Sequence, residues 1–191
     1  ASANNAVFVP PFDDARVIAG QGTAGLELME QSAALGTPPD VVLVPCSGGG
    51  LAGGVALAVK AAHPSAQVIT VEPSGFDDMA RSLASGRRER NAALAGSICD
   101  ALLSPSPGEI TFALAQRLIA GGIVVPDEET RQAVRYAFEV LKLVLEPAGA
   151  IALAAVLSGR VETRGRTIAC LLSGGNIDPA QFADIIGSTK G

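Results

Sequence analysis

One stretch constrains this chain more than any other: Val41-Val42-Leu43-Val44-Pro45-Cys46-Ser47-Gly48-Gly49-Gly50-Leu51-Ala52-Gly53-Gly54. An apolar run of strand length enters a serine-and-glycine turn, and an Ala-rich helical segment to about Ala62 leaves it. With no Cβ atoms in the way, peptide N–H groups in such a turn converge on one anion. The positive end of the helix dipole adds to the attraction. The expectation is a seat for a phosphate.

The neighbouring segments give that turn a sheet to sit on. His63-Pro64 stops the helix, and a second apolar run, Gln67–Val71, ends on Glu72. A strand–turn–helix–strand unit of this length makes the two strands parallel neighbours. The runs Val41–Val44, Val68–Val71, Ile123–Val125 and Thr167–Leu172 are unbroken rather than alternating, the mark of strands covered on both faces. The fold class is therefore α/β, an open and mostly parallel sheet with helices on both faces.

Upstream, Ala6–Pro11 reads as extended and Phe12 to Thr23 as an irregular, glycine-punctuated lead-in, with helix from about Thr23 to Ala34. Downstream, a short helix reaches about Ser85 and another spans Glu109–Ile119. Asp127, with Glu128 and Glu129 in the first turn, starts a long helix that Pro147 interrupts. Helices Ala148–Leu157 and Pro179–Ile186 follow.

Composition excludes several classes. Of 191 residues, 48% are hydrophobic and 17% charged, so a sizeable core is expected and disorder is not. The net charge of −5 and a basic run no longer than Gly86-Arg87-Arg88-Glu89-Arg90 argue against nucleic acid. No apolar run reaches the ~18 residues of a membrane helix, and Ala1–Asn5 lacks the pattern of a signal peptide. Cys46, Cys99 and Cys170, odd in number and set in apolar surroundings, read as buried free thiols of a reducing, cytoplasmic compartment. His63, the only histidine, reads as a surface residue.

Two readings of the glycine turn are open at this level. Gly48-x-Gly50-x-x-Gly53 matches a dinucleotide fingerprint, with Glu72 where a ribose-binding acid belongs. Against it, four glycines in the seven residues Ser47–Gly53 make the spacing partly accidental. A hydrolase elbow is excluded, because neither Ser47 nor Ser173 has glycine two residues away on both sides. A second turn, Ser173-Gly174-Gly175-Asn176, also ends a strand, so two glycine-rich turns can meet at the carboxyl edge of one sheet.

Taken together, five motifs resemble the pyridoxal-phosphate-dependent enzymes of the tryptophan-synthase-β fold type, in the threonine dehydratase and serine racemase branch. They are Phe12 to Thr23, Ser47–Leu51, Glu72-Pro73-Ser74-Gly75-Phe76-Asp77-Asp78, Leu145–Gly149 and Leu172–Asn176, in family order along nearly the whole chain. The resemblance implies dehydration and deamination of threonine or serine to a 2-oxo acid and ammonia, with serine racemisation or hydroxyaspartate dehydration as alternatives. A non-catalytic module binding pyridoxal phosphate or a nucleotide is the alternative of another class.

Within it, Ser47, Gly48, Gly49, Gly50 and Leu51 resemble the cofactor-phosphate loop, and Ser173 the hydroxyl facing the pyridine nitrogen; as a plain residue Ser173 reads as a helix N-cap. Glu146 resembles a residue near the cofactor ring, or is an i+4 partner of Lys142 on an exposed face. Glu72, Asp78 and the Phe76 main-chain oxygen resemble a divalent-cation site for Mg²⁺ or Ca²⁺; otherwise they are a strand-end acid and a helix-start acid. Cys99-Asp100-Ala101 departs from the Ala-Asp-Gly of many relatives, adding a methyl beside the cofactor.

Such an enzyme needs a Schiff-base lysine. The lysines here are Lys60, Lys142 and Lys190, none in the family's Ser-x-Lys-x-Arg-Gly-Ala context. Lys60 is nine residues beyond Leu51, about 13 Å along a helix. The resemblance therefore covers roughly the C-terminal three-fifths of a subunit, without a regulatory C-terminal domain. It implies either a partner polypeptide carrying the N-terminal part or a truncated, inactive chain, with apolar faces left exposed. Relatives of this kind commonly form homodimers.

Overall fold

The computed structural model describes residues 7–187; Ala6 and Lys190 lie outside them. Four strands form one sheet among these residues: β1 (Val41–Pro45), β2 (Gln67–Pro73), β3 (Gly121–Val125) and β4 (Ile168–Cys170). Their order is β3-β2-β1-β4, and every neighbouring pair is parallel. The α/β expectation holds.

β1 shows why an unbroken apolar run makes a central strand. Val41 and Leu43 enter one core, Val42 and Val44 the other, and all four are fully buried. Burial of each such side chain is worth about 1.5–3 kcal/mol. The helices α1 (Ala15–Ala34), α2 (Gly50–Ala62), α3 (Asp78–Ser85) and α4 (Glu109–Leu118) contribute to the second core. The first belongs to α5 (Asp127–Tyr136), α6 (Pro147–Leu157) and α7 (Pro179–Gly187).

Chain order creates the cleft. From β1 the chain moves outward through β2 to β3, then returns to place β4 on the other side of β1. The direction of winding reverses between β1 and β4, and ligands of open parallel sheets bind outside the carboxyl ends at such a point. Both glycine-rich turns leave the sheet there.

Two helix boundaries differ from the sequence expectation. α1 begins at Ala15, capped by the Asp14 carboxylate on the Arg16 amide, so most of the supposed irregular lead-in is helical. Gly22 and Gly25 serve contact, not punctuation. A Cβ on Gly25 would stand 2.9 Å from the Ala58 Cβ, and one on Gly54 would strike the Ile18 carbonyl, so α1 and α2 cross backbone to backbone. The long helix after Asp127 also stops early. It passes through a π-turn at Ala137–Leu141 and ends at Lys142, whose left-handed φ of 61° reverses the chain before Pro147. His63 stands at the C-cap of α2, partly exposed at the surface and beside the Ser65 hydroxyl at 3.3 Å.

Phe138, Val140, Leu141, Leu143 and Val144 are exposed around that reversal. No helix among the described residues is long and apolar enough to cross a membrane.

Candidate functional site

The first turn is locked from its carbonyl side. The Gly48 carbonyl accepts the Gly108 amide at 3.1 Å and the Thr111 hydroxyl at 2.6 Å. Since a trans peptide carries N–H opposite C=O, the Gly49 amide points away from α4. Gly49 has φ 95°, a left-handed conformation that favours glycine, and a Cβ there would lie 2.7 Å from Met79 Cε. Its carbonyl takes the first bond of α2, from the Gly53 amide at 2.8 Å. The amides of Gly50, Leu51 and Ala52 therefore have no intrahelical acceptor and sit at the positive end of the helix dipole.

Phe12 closes one side. Its ring rests against Gly48, where any Cβ would overlap it. Asp13 holds that segment in place by accepting the amides of Glu109 and Ile110 at 2.9 Å and of Thr111 at 3.3 Å.

The second turn faces the first. Ser173 is exposed and lines a cleft of about 320 Å³ with Ser47, Gly48, Gly49, Gly50, Leu51 and Glu146. It does not cap a helix: Asp178 caps α7, accepting the Ala180 amide at 2.8 Å. Glu146 is fixed here by its amide, which donates to the Gly174 carbonyl at 3.1 Å, and its carboxylate crowds the Gly174 Cα. The i+4 alternative is overturned, because the backbone leaves the helix at Lys142 and the Lys142 ammonium donates to the Glu139 carbonyl. Ala101, the methyl departing from the family pattern, also lines the cleft.

Glu72 is not available to a ribose. It is fully buried, and its two oxygens accept the Met79 and Ala80 amides at 2.8 Å each, capping α3. Burial raises its carboxyl well above the ordinary range, and Asp78 is pushed up to about 6 mainly by burial. Asp78 Oδ1 accepts from Asn91 at 2.6 Å, while Oδ2 is buried with no hydrogen-bond partner. Among the described residues no group of three His, Cys, Asp or Glu side chains is arranged to hold a metal.

Neither described lysine lines the cleft. Lys60 donates to the Pro64 carbonyl at the far end of α2. Phe12 and Asp13, from the Phe12 to Thr23 motif, also shape the site, and so do Asn91 and Ser104, which lie outside every motif.

A glycine turn with free helix-start amides, facing a hydroxyl and a carboxylate at the switch point of a parallel sheet, marks an α/β protein with its cleft where ligands of such sheets bind. Residues 1–174 match the family described as pyridoxal-phosphate dependent enzyme, and the chain belongs to that family. It is 41% identical to the L-threonine ammonia-lyase of Thermotoga maritima over 95% of this chain and 44% of that one. It is 38% identical to the serine racemase of Arabidopsis thaliana over 96% and 55%. The crystal structure of a threonine deaminase from T.th. superposes with a TM-score of 0.84 and 47% identity, covering 88% of this chain and 60% of that one. The chain spans about half the length of the curated relatives it matches.

Proposed function

We propose that this chain holds pyridoxal 5′-phosphate for the dehydration and deamination of a hydroxy-amino acid, threonine or serine, to a 2-oxo acid and ammonia. The observation that carries this reading is the locked turn Ser47–Leu51 facing Ser173 across one cleft. The amides of Gly48, Gly49, Gly50 and Leu51 bind the cofactor phosphate, and the Ser173 hydroxyl meets the pyridine nitrogen. A hydroxyl keeps that nitrogen unprotonated where a carboxylate would protonate it. When bound, the cofactor withdraws electrons from the substrate α-carbon. Glu146, held beside Ser173, orients the ring edge and excludes water.

The lysine that carries the cofactor we assign to a segment outside these 191 residues, because none of Lys60, Lys142 and Lys190 stands in the family's lysine context and the first two donate to carbonyls away from the cleft. The exposed apolar stretch Phe138–Val144 is the face we assign to that segment. A homodimer in the cytoplasm, where Cys46, Cys99 and Cys170 stay reduced, completes this reading. Serine racemisation is the second reading, favoured by the serine racemase relative.

A divalent cation at Glu72, Asp78 and the Phe76 carbonyl rests on the unpartnered Asp78 Oδ2. Thermal melts with Mg²⁺ or Ca²⁺ test it: stabilisation lost in Asp78→Asn supports the ion. No stabilisation of the parent leaves Glu72 as a strand-end acid that caps α3 and Asp78 as a helix-start acid.

The central test is pyridoxal phosphate binding, followed by turnover of L-threonine and L-serine by the polypeptide that includes the lysine segment. Ser173→Ala and Gly49→Val are each expected to weaken cofactor binding. Unchanged affinity in both would sink the assignment.

A further inference from the structure

A pair of serines at the mouth of the glycine turn leaves one proton uncommitted. Ser47 opens the turn, Ser104 lies in the loop before α4, and both line the cleft. Their Oγ atoms are 2.7 Å apart, and Ser47 Oγ also accepts the Ser104 amide at 3.1 Å. Two hydroxyls carry two protons, and the bond between them uses one. The bond runs from the Ser47 hydroxyl to Ser104 Oγ, so the remaining O–H belongs to Ser104.

Ser104 is also held from behind. Its carbonyl accepts the Asn91 amide group at 2.8 Å. Asn91 in turn donates to Asp78 Oδ1 at 2.6 Å and accepts from Arg81 Nη2 at 2.6 Å. Ser47, Ser104 and Asn91 are all half-buried, so the hydroxyl pair has a fixed address beside the amides of the turn.

We propose that Ser104 donates its free O–H to the phosphate held by the turn, as a side-chain ligand that lies outside the glycine motif and is positioned by Asn91. This rests on the phosphate reading given above. The chemistry is consistent: a phosphate dianion accepts several donors, and a neutral hydroxyl adds one without placing a charge in the cleft. Leu103-Ser104-Pro105 carries no signal of this role in the sequence.

The experiment compares the affinities of the protein for pyridoxal phosphate and for pyridoxal, which lacks the phosphate. Ser104→Ala is expected to weaken pyridoxal phosphate about tenfold, the effect of one hydrogen bond to a charged group, and to leave pyridoxal unchanged. Ser104→Thr, which keeps the hydroxyl, should bind as the parent does. Asn91→Ala should give a smaller loss with the same selectivity for phosphate. Equal affinity in Ser104→Ala, or an equal loss for both ligands, would overturn the Ser104 assignment alone. A parent protein that does not prefer pyridoxal phosphate over pyridoxal would overturn the phosphate reading itself. Should Ser104→Ala fail to fold, Ser104→Thr decides: weakened pyridoxal phosphate binding in that folded variant counts against the proposal.

Discussion

The Phe12 ring rests on the Cα of Gly48, filling the space a side chain there would need. The glycine is thus required by a packing partner within the chain itself. Gly48→Ala is expected to cost about 1–3 kcal/mol through overpacking. Phe12→Ala in the same chain should recover part of it by removing the ring. Urea midpoints of the two single variants and the double variant measure the coupling; strictly additive effects would refute the contact.

Asp13 joins the start of the chain to α4 across a separation of 96 residues. Asp13→Ala removes a carboxylate from three amides at a helix start, an expected loss of about 1–2 kcal/mol on the scale of helix caps. Phe12 should loosen with it, so cofactor affinity falls as well. Stability lost with affinity intact would show that Asp13 does not support the turn.

Asp14 gives a pH signature. Its hydrogen bonds from the Arg16 side chain, then from the Arg16 amide, hold its carboxyl down to about 2 against an ordinary 3.8. A lowered folded value means that the contribution is present above 3.8 and fades as pH falls through about 2. Because its partner Arg16 is largely exposed to solvent, the effect is small. Denaturant midpoints taken stepwise down this window should fall more steeply in the parent than in Asp14→Ala, and equal slopes would rule the cap out as a source.

The three thiols should be inert in the folded protein. Burial raises Cys46 well above the usual range, Cys99 to about 12 and Cys170 to about 11. Little thiolate exists at neutral pH, and thiolate is the reactive form. Alkylation followed by mass spectrometry should label Cys170 first, being the least buried, and all three only after denaturation. Fast labelling of Cys46 in the native state would contradict its burial.

The parts of the fold readable in the sequence were those written locally. Val41–Val44 and Val68–Val71 announced central strands because both faces of each are covered. The contiguous glycines after Val44 announced a tight strand-to-helix turn with free amides. Gly20 and Gly22 misled, since a glycine inside a helix, such as Gly22 where two helices touch, is spelled like one that ends a helix. The stop at Lys142 had no marker, because neither glycine nor proline stands there. Asp13 on α4, Ser104 on Ser47 and Glu146 on Gly174 are tertiary meetings, and nothing in their immediate neighbours encodes them.

The reach of Asp13 also sets an order of assembly. Phe12 cannot settle against the turn until the chain has been made as far as α4 and that helix has docked, which closes a long loop at an entropic cost. During synthesis the glycine turn therefore exists as a sequence well before it exists as a seat. The segment around Phe12 and Asp13 reaches its final place only once α4 is there to receive it.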